Sequence, residues 1–432
     1  MIQLTAPQMP SRLKRTVVIA GLLLTLPGLP LAFSFFCITL VLMIQDNSEA
    51  IWVGLISFIL MIITIGAGGS AFWHSLQSLR GRNSRSLHLP PLWLLTGIFG
   101  LFIVMGLFIS ENDFAIGLLF PPLLLAAAAL PPLMAVSWFR GYRANDGLTW
   151  RRGLVAFAGG ATISVGIAII LETVFPIIIL ALVFDLANIV TQNLSQLLEA
   201  LAGRDVTSAI TNPGFIYVFI QIALIAPLVE EFAKPLVTLP LIGRLSQRDA
   251  FLVGAMAGAG FATLENMLYA GFGFYFWAGI LIVRALGGAI HPLGSGLMAL
   301  SWRNILRGKP QARTHWFVRF GLAVGIHALW NGGSLLVITL AGARFFGELP
   351  AEINVLGLSA AGTTLALLII LGLVALWIGR SFTGKLKSPV SLESESTNIE
   401  FTLSDKMIAI WALACLATII PIGITTLQIL IR

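Results

Sequence analysis

A chain of 432 residues that is 57% hydrophobic and only 10% charged has too little polar surface to be a soluble globule. Its net charge of +7 does not point to nucleic acid, because the basic residues cluster in short loops beside apolar runs, where they set topology. The two cysteines, Cys37 and Cys415, both fall inside apolar runs, which removes a disulfide framework, a CxxC redox pair and a cysteine zinc site.

The composition specifies an all-α, polytopic transmembrane bundle, and the apolar runs predict about eleven spans. Arg12, Lys14 and Arg15 precede a run at 16–44, too long for a signal-peptide core, which reads as a retained first span with a cytoplasmic N-terminus. A second span, 51–73, leads to Arg80, Arg82 and Arg85; a third, 92–109, ends at Glu111 and Asp113. The fourth, 115–139, contains Pro121-Pro122 and Pro131-Pro132, where kinks are expected, and ends at Arg140 and Arg143. The fifth run, 154–184, is longer than an upright helix needs. If its helix ends near Leu171, Glu172 lies at the outer interface and 177–201 forms an interfacial or re-entrant segment.

From Phe215 a sixth span runs inward to Arg244 and Arg248, a seventh runs outward from Ala250, and an eighth returns by Ser301. A ninth, 317–340, and a tenth, 354–379, follow; the Ser-rich stretch 380–406 reads as a cytoplasmic linker. The last span, 407–430, places the C-terminus outside. Three regions are expected: five N-terminal spans plus an external segment (1–214), a four-span core (215–340), and a two-span C-terminal region (341–432).

The core carries the chemistry. Pro227-Leu228-Val229-Glu230-Glu231-Phe232-Ala233-Lys234 sets three ionisable residues in an apolar run. Each charge at a bilayer centre costs about 3 kcal/mol, so three cost roughly 9, while ten aliphatic residues return only about 5. The charges must be paired, protonated or turned to a polar cavity. Lys234 is i+4 from Glu230 and i+3 from Glu231, so it can neutralise either, and the two carboxylates diverge by about 100°. The next span supplies Glu265 and Asn266, with Gly254, Gly258 and Gly260 before them to admit a neighbouring helix, expected to be the sixth. The eighth carries Arg284, a candidate partner for Glu265, and His291; the ninth carries His327 and Asn331. Glu230, Glu231, Glu265, His291 and His327 all fall near the centres of their spans, the common depth that one site requires. His74, His88 and His315 lie in or beside basic loops and are expected to be solvated.

The order Glu230-Glu231-x-x-Lys234, Phe261-x-x-x-Glu265-Asn266, His291 and His327-x-x-x-Asn331 on successive helices resembles the PrsW family of intramembrane proteases, related to CAAX prenyl endopeptidases and bacteriocin-processing membrane proteases. The resemblance covers roughly 215–340. It implies an integral protein of a prokaryotic inner membrane that hydrolyses a peptide bond in a membrane protein, typified by first-site cleavage of a single-pass anti-sigma factor.

Other protease chemistries lack residues. There is no His-Glu-x-x-His helix, and Asp185 is the only aspartate inside an apolar run. Gly294-Ser295-Gly296 offers a serine near His291, but leaves three buried glutamates without a purpose. Two mechanisms use the full set. In the metal-free one, favoured here, Glu231 and Glu265 activate water, Lys234 tunes Glu230, and His291, His327 or Asn331 stabilise the oxyanion. In the other, His291, His327 and Glu231 or Glu265 ligate zinc, and another glutamate is the base. The alternative function is a proton- or ion-coupled transporter using the same cluster, against which stand the lack of a repeat and the confinement of these groups to four adjacent spans.

Overall fold

The computed structural model describes residues 11–45, 47, 50–110, 116–141, 147–172, 213–345 and 351–386. Among them there is no named strand; a lone bridge joins Ser86 to Thr149. The helices are α1 (Ser11–Ile44), α2 (Ala50–Met61), α3 (Ser70–Leu79), α4 (Leu92–Ser110), α5 (Ile116–Arg140) and α6 (Trp150–Gly159). After these come α7 (Pro213–Ile220), α8 (Ala226–Ala233), α9 (Leu239–Ile242), α10 (Gln247–Phe272), α11 (Trp277–Leu286), α12 (Ile290–Leu306), α13 (Ala312–Phe345) and α14 (Ala351–Lys385). Three π-turns, Ile62–Gly69, Gly160–Ser164 and Gln221–Ile225, join α2 to α3, extend α6 towards Glu172, and join α7 to α8.

Among the described residues, eight helices are long and apolar enough to cross a membrane, or nine if α11 and α12, bent by 44°, are one broken span. The eleven expected spans are therefore met only in part. The run at 51–73 forms a short apolar helix interrupted by its π-turn, where glycines at 66, 68 and 69 relax the α ladder. The segment at 177–201 and the final span at 407–430 lie outside the described residues.

The bundle is organised around α10, whose most apolar stretch is 89% buried where the other long spans range from 17 to 61%. It packs on α12, α5 and α6. Small residues make that possible. A Cβ on Gly258 would run into the His291 carbonyl, and one on Gly260 into the Phe157 carbonyl. The glycines thus seat α10 against the eighth and fifth spans rather than the sixth, the partner expected from sequence.

Arginines gather at one end of this core. Arg248 donates to the Arg140 carbonyl at 2.8 Å, Arg303 to that of Leu245 at 2.8 Å, and Arg307 to that of Gly243 at 2.9 Å. Each ties off a carbonyl in a loop or at a helix end that has no helical donor. The polar cluster lies deeper, between α8, α10, α12 and α13.

The prolines of α5 leave the helix continuous from Ile116 to Arg140. Pro132 cannot donate to the Ala128 carbonyl one turn back, and Asn266 Nδ2 on α10 does so instead, at 3.2 Å. The same substitution occurs at the π-turn before α8. There the Ala226 N–H reaches back to Gln221, and Pro227 has no N–H for Ile222. Asn331 Nδ2 on α13 donates to the Ile222 carbonyl, at 3.1 Å.

Candidate active site

Glu230 and Glu231 occupy the last turn of α8, and Lys234 follows it; all three are buried. Lys234 Nζ lies 2.9 Å from Glu230 Oε2 and 2.8 Å from Glu231 Oε1, so it pairs with both carboxylates rather than choosing one. Its ammonium also sits 4.5 Å from the centroid of the Phe261 ring, and that ring stacks on His291. The Lys234 carbonyl, at the helix end, accepts from Ser164 Oγ at 3.0 Å.

Glu265 comes from the middle of the most enclosed helix. Its Oε2 lies 2.7 Å from an Arg284 terminal nitrogen and 3.0 Å from His291 Nε2. Arg284 is fixed in turn by Nε donation to Asn266 Oδ1 and by packing over the Tyr269 ring. The break between α11 and α12 brings Arg284, in the last turn of one, beside His291, in the first turn of the other. Gly287 opens this break, where a Cβ would strike the Trp330 ring.

His327 enters from α13, with Nδ1 3.0 Å from Glu231 Oε1. An ionised carboxylate only accepts, so this contact, shorter than the 3.5 Å from Nδ1 to Lys234 Nζ, favours the tautomer with the proton on Nδ1 and a lone pair on Nε2. At His291, Nε2 lies 3.0 Å from Glu265 Oε2 and 3.4 Å from an Arg284 terminal nitrogen; the tautomer that donates to the nearer carboxylate frees Nδ1. Both freed nitrogens are buried without a hydrogen-bond partner. They lie 3.8 Å (His327 Nε2) and 3.9 Å (His291 Nδ1) from Glu230 Oε2, with the two rings edge to face at 4.6 Å.

Glu230, His291 and His327 therefore offer one oxygen and two nitrogens, all within 4.8 Å of one another. Two orphaned nitrogen lone pairs and a carboxylate oxygen, each backed by a second polar group, are the donor set and surroundings that a catalytic divalent metal takes. The carboxylate that completes this set is Glu230, where the sequence pointed to Glu231 or Glu265. The reason is packing: Glu231 and Glu265 are occupied in holding the outer ring nitrogens of the histidines. The division in which Lys234 sets Glu230 apart is likewise not the one seen.

The remaining residues separate cleanly. Asn266 and Asn331 face carbonyls of neighbouring helices with their Nδ2 groups, so each fastens its helix to a neighbour. Ser295 is buried on α12. Its flanking Gly294 has a different use, since a Cβ there would collide with the Glu231 carboxylate. His88 and His315 are exposed and His74 is half-buried, none of them in the cluster. Sequence reasoning gave no role to Ser164, Tyr269 or the Phe261 ring. Only Phe261 had a signal, its fixed place four residues before Glu265.

The model of the PrsW family intramembrane metalloprotease matches residues 149–356. No curated protein and no solved structure matches the chain. The match begins at the first turn of α6, so it takes in the fifth span, which the motif resemblance had left outside and whose Ser164 binds the end of α8. It also accounts for the buried cluster better than ion transport does, and its substrate is by definition a membrane protein. Over residues 149–356, then, this chain of membrane-length apolar helices matches the PrsW family of intramembrane metalloproteases.

Proposed function

We propose that the chain hydrolyses a peptide bond in a single-pass membrane protein of a prokaryotic inner membrane, an anti-sigma factor-like protein being the type, at a centre built on Glu230, His291 and His327. The observation that supports it is the pair of histidines whose outer nitrogens are held by Glu265 and Glu231 while their inner nitrogens converge on Glu230 Oε2. These three residues would hold zinc. When bound, the metal supplies Lewis-acid polarisation of the scissile carbonyl and activation of water.

The chain's own groups do the rest. Glu265 and Glu231 fix the imidazole tautomers and ring orientations. Lys234 and Arg284 offset the three carboxylates, leaving one formal negative charge with both imidazoles neutral, which suits a divalent cation. Glu231 Oε1 is engaged by Lys234 and His327, but Oε2 is buried with no hydrogen-bond partner. We assign Glu231 Oε2 to take the proton from water and return it to the leaving amine. Apolar walls from α10 and α12 exclude bulk water and strengthen each of these interactions.

The test combines metal analysis with cleavage of a single-pass substrate in liposomes. Wild type is expected to carry stoichiometric zinc, which Glu230→Gln and His291→Ala lose together with activity. Glu231→Gln keeps an acceptor for His327 and so retains the metal, while turnover falls by about 10²–10⁴. Full cleavage by wild type stripped of metal would overturn the zinc centre, and full cleavage by Glu231→Gln would remove its role as base.

A further inference from the structure

A membrane helix cannot be hydrolysed as a helix, because the scissile carbonyl is enclosed by its own turn. Unwinding it in lipid strands N–H and C=O groups that cost several kcal/mol each if nothing receives them. A protease of this kind therefore needs polar groups beside its reactive centre that are buried and unoccupied until substrate arrives. This line of argument rests on the protease reading.

Two such groups face each other outside the cluster described above. Glu172 ends the fifth span, and Gln221 begins the π-turn before α8; Gln221 Nε2 donates to the Glu172 carbonyl at 3.4 Å. Glu172 Oε1 and Gln221 Oε1 are both buried acceptors with no hydrogen-bond partner among the described residues. Neither has a part in holding the histidines.

Their level in the bundle follows from three contacts. Ser164 binds the Lys234 carbonyl, and Glu172 is eight residues further along, about 12 Å at 1.5 Å per residue. Gln221 is nine residues before Glu230, about 13 Å along the helix. Asn331, one turn beyond His327, reaches the carbonyl of Ile222, the neighbour of Gln221. The pair thus lies between one and two and a half turns from Glu230 and His327, towards the end opposite the arginines. It is still close enough for the Glu172 carboxyl to feel the charges of Glu230, Glu265 and Lys234.

We propose that Glu172 and Gln221 form the subsite for the unwound backbone of the substrate, the carboxylate and the amide oxygen accepting N–H groups freed on one side of the scissile bond. The ligand class is an extended or broken stretch of a single-pass segment, and an intact helix has no N–H to offer. Selectivity for helices with Gly or Pro near the cut site follows, since their unwinding costs least.

The experiment measures binding without cleavage, in full-length Glu231→Gln protein in liposomes. The probes are a biotinylated single-pass Leu/Ala peptide with a central Gly-Pro step and its unbroken Leu/Ala twin. The broken peptide is expected to bind more tightly. Adding Glu172→Leu or Gln221→Leu should weaken it roughly tenfold each, the worth of a buried hydrogen bond, and leave the unbroken peptide unaffected. Glu172→Gln, which keeps an oxygen acceptor, should retain most of the preference and guards against loss of fold as the cause. The subsite is overturned if the protein shows no preference for the broken peptide, or if the Glu172→Leu, Gln221→Leu double variant keeps it. Cleavage by wild type is scored separately: binding preference without cleavage sinks the protease reading and leaves the subsite standing.

Discussion

Which carboxylate faces the centre is decided by single atoms. Glu231 fits only because Gly294 has no side chain, and Gly294→Ala should push the carboxylate off His327. We expect a loss of about 1–3 kcal/mol in stability together with most of the activity, read from thermal unfolding in detergent alongside cleavage. Wild-type activity in this variant would show that the Glu231–His327 bond is dispensable. The pairing of Lys234 with both glutamates was legible in the sequence, because i+3 and i+4 spacing suffices to bring them together. The inward turn of Glu230 was not legible. It depends on how closely α12 and α13 approach α8, and those approaches are fixed by Gly294 and by the ring of His327, far away in the chain.

At the level of helices, two asparagines repair defects that prolines create. Asn266 serves the carbonyl that Pro132 leaves open, and Asn331 serves the one that Pro227 leaves open. Each repair ties a catalytic helix to a neighbour, so the asparagine one residue after Glu265 and the one a turn after His327 set the position of those side chains. Asn331→Leu should cost about 1–3 kcal/mol by stranding the Ile222 carbonyl, and should loosen α8 against α13. Its check is hydrogen exchange at 222–230, which should quicken while exchange in α10 is unchanged. The apolar runs and basic loops were enough to place most helices. The π-turns and the bend at Gly287 were not, since both arise where a helix yields to its packing partners rather than to its own propensities.

For the molecule as a whole, a metal held by residues from three helices would act as a clasp. Binding only the folded state at 100 times its dissociation constant contributes about 2.7 kcal/mol. Chelation should therefore lower the thermal midpoint of wild type by several degrees, and leave Glu230→Gln unmoved. The Glu265–Arg284 ion pair carries a consequence for how the chain is made. α10 is the least apolar of the long spans, with a hydropathy of 1.3, and it holds a carboxylate whose counter-charge lies 19 residues later in the chain. Until α11 packs beside α10, Glu265 has no arginine to pair with, and a lone charge in lipid costs about 3 kcal/mol. Insertion of α10 and α11 together as a hairpin avoids that cost, so the ion pair at the active site also favours α10 in the bilayer.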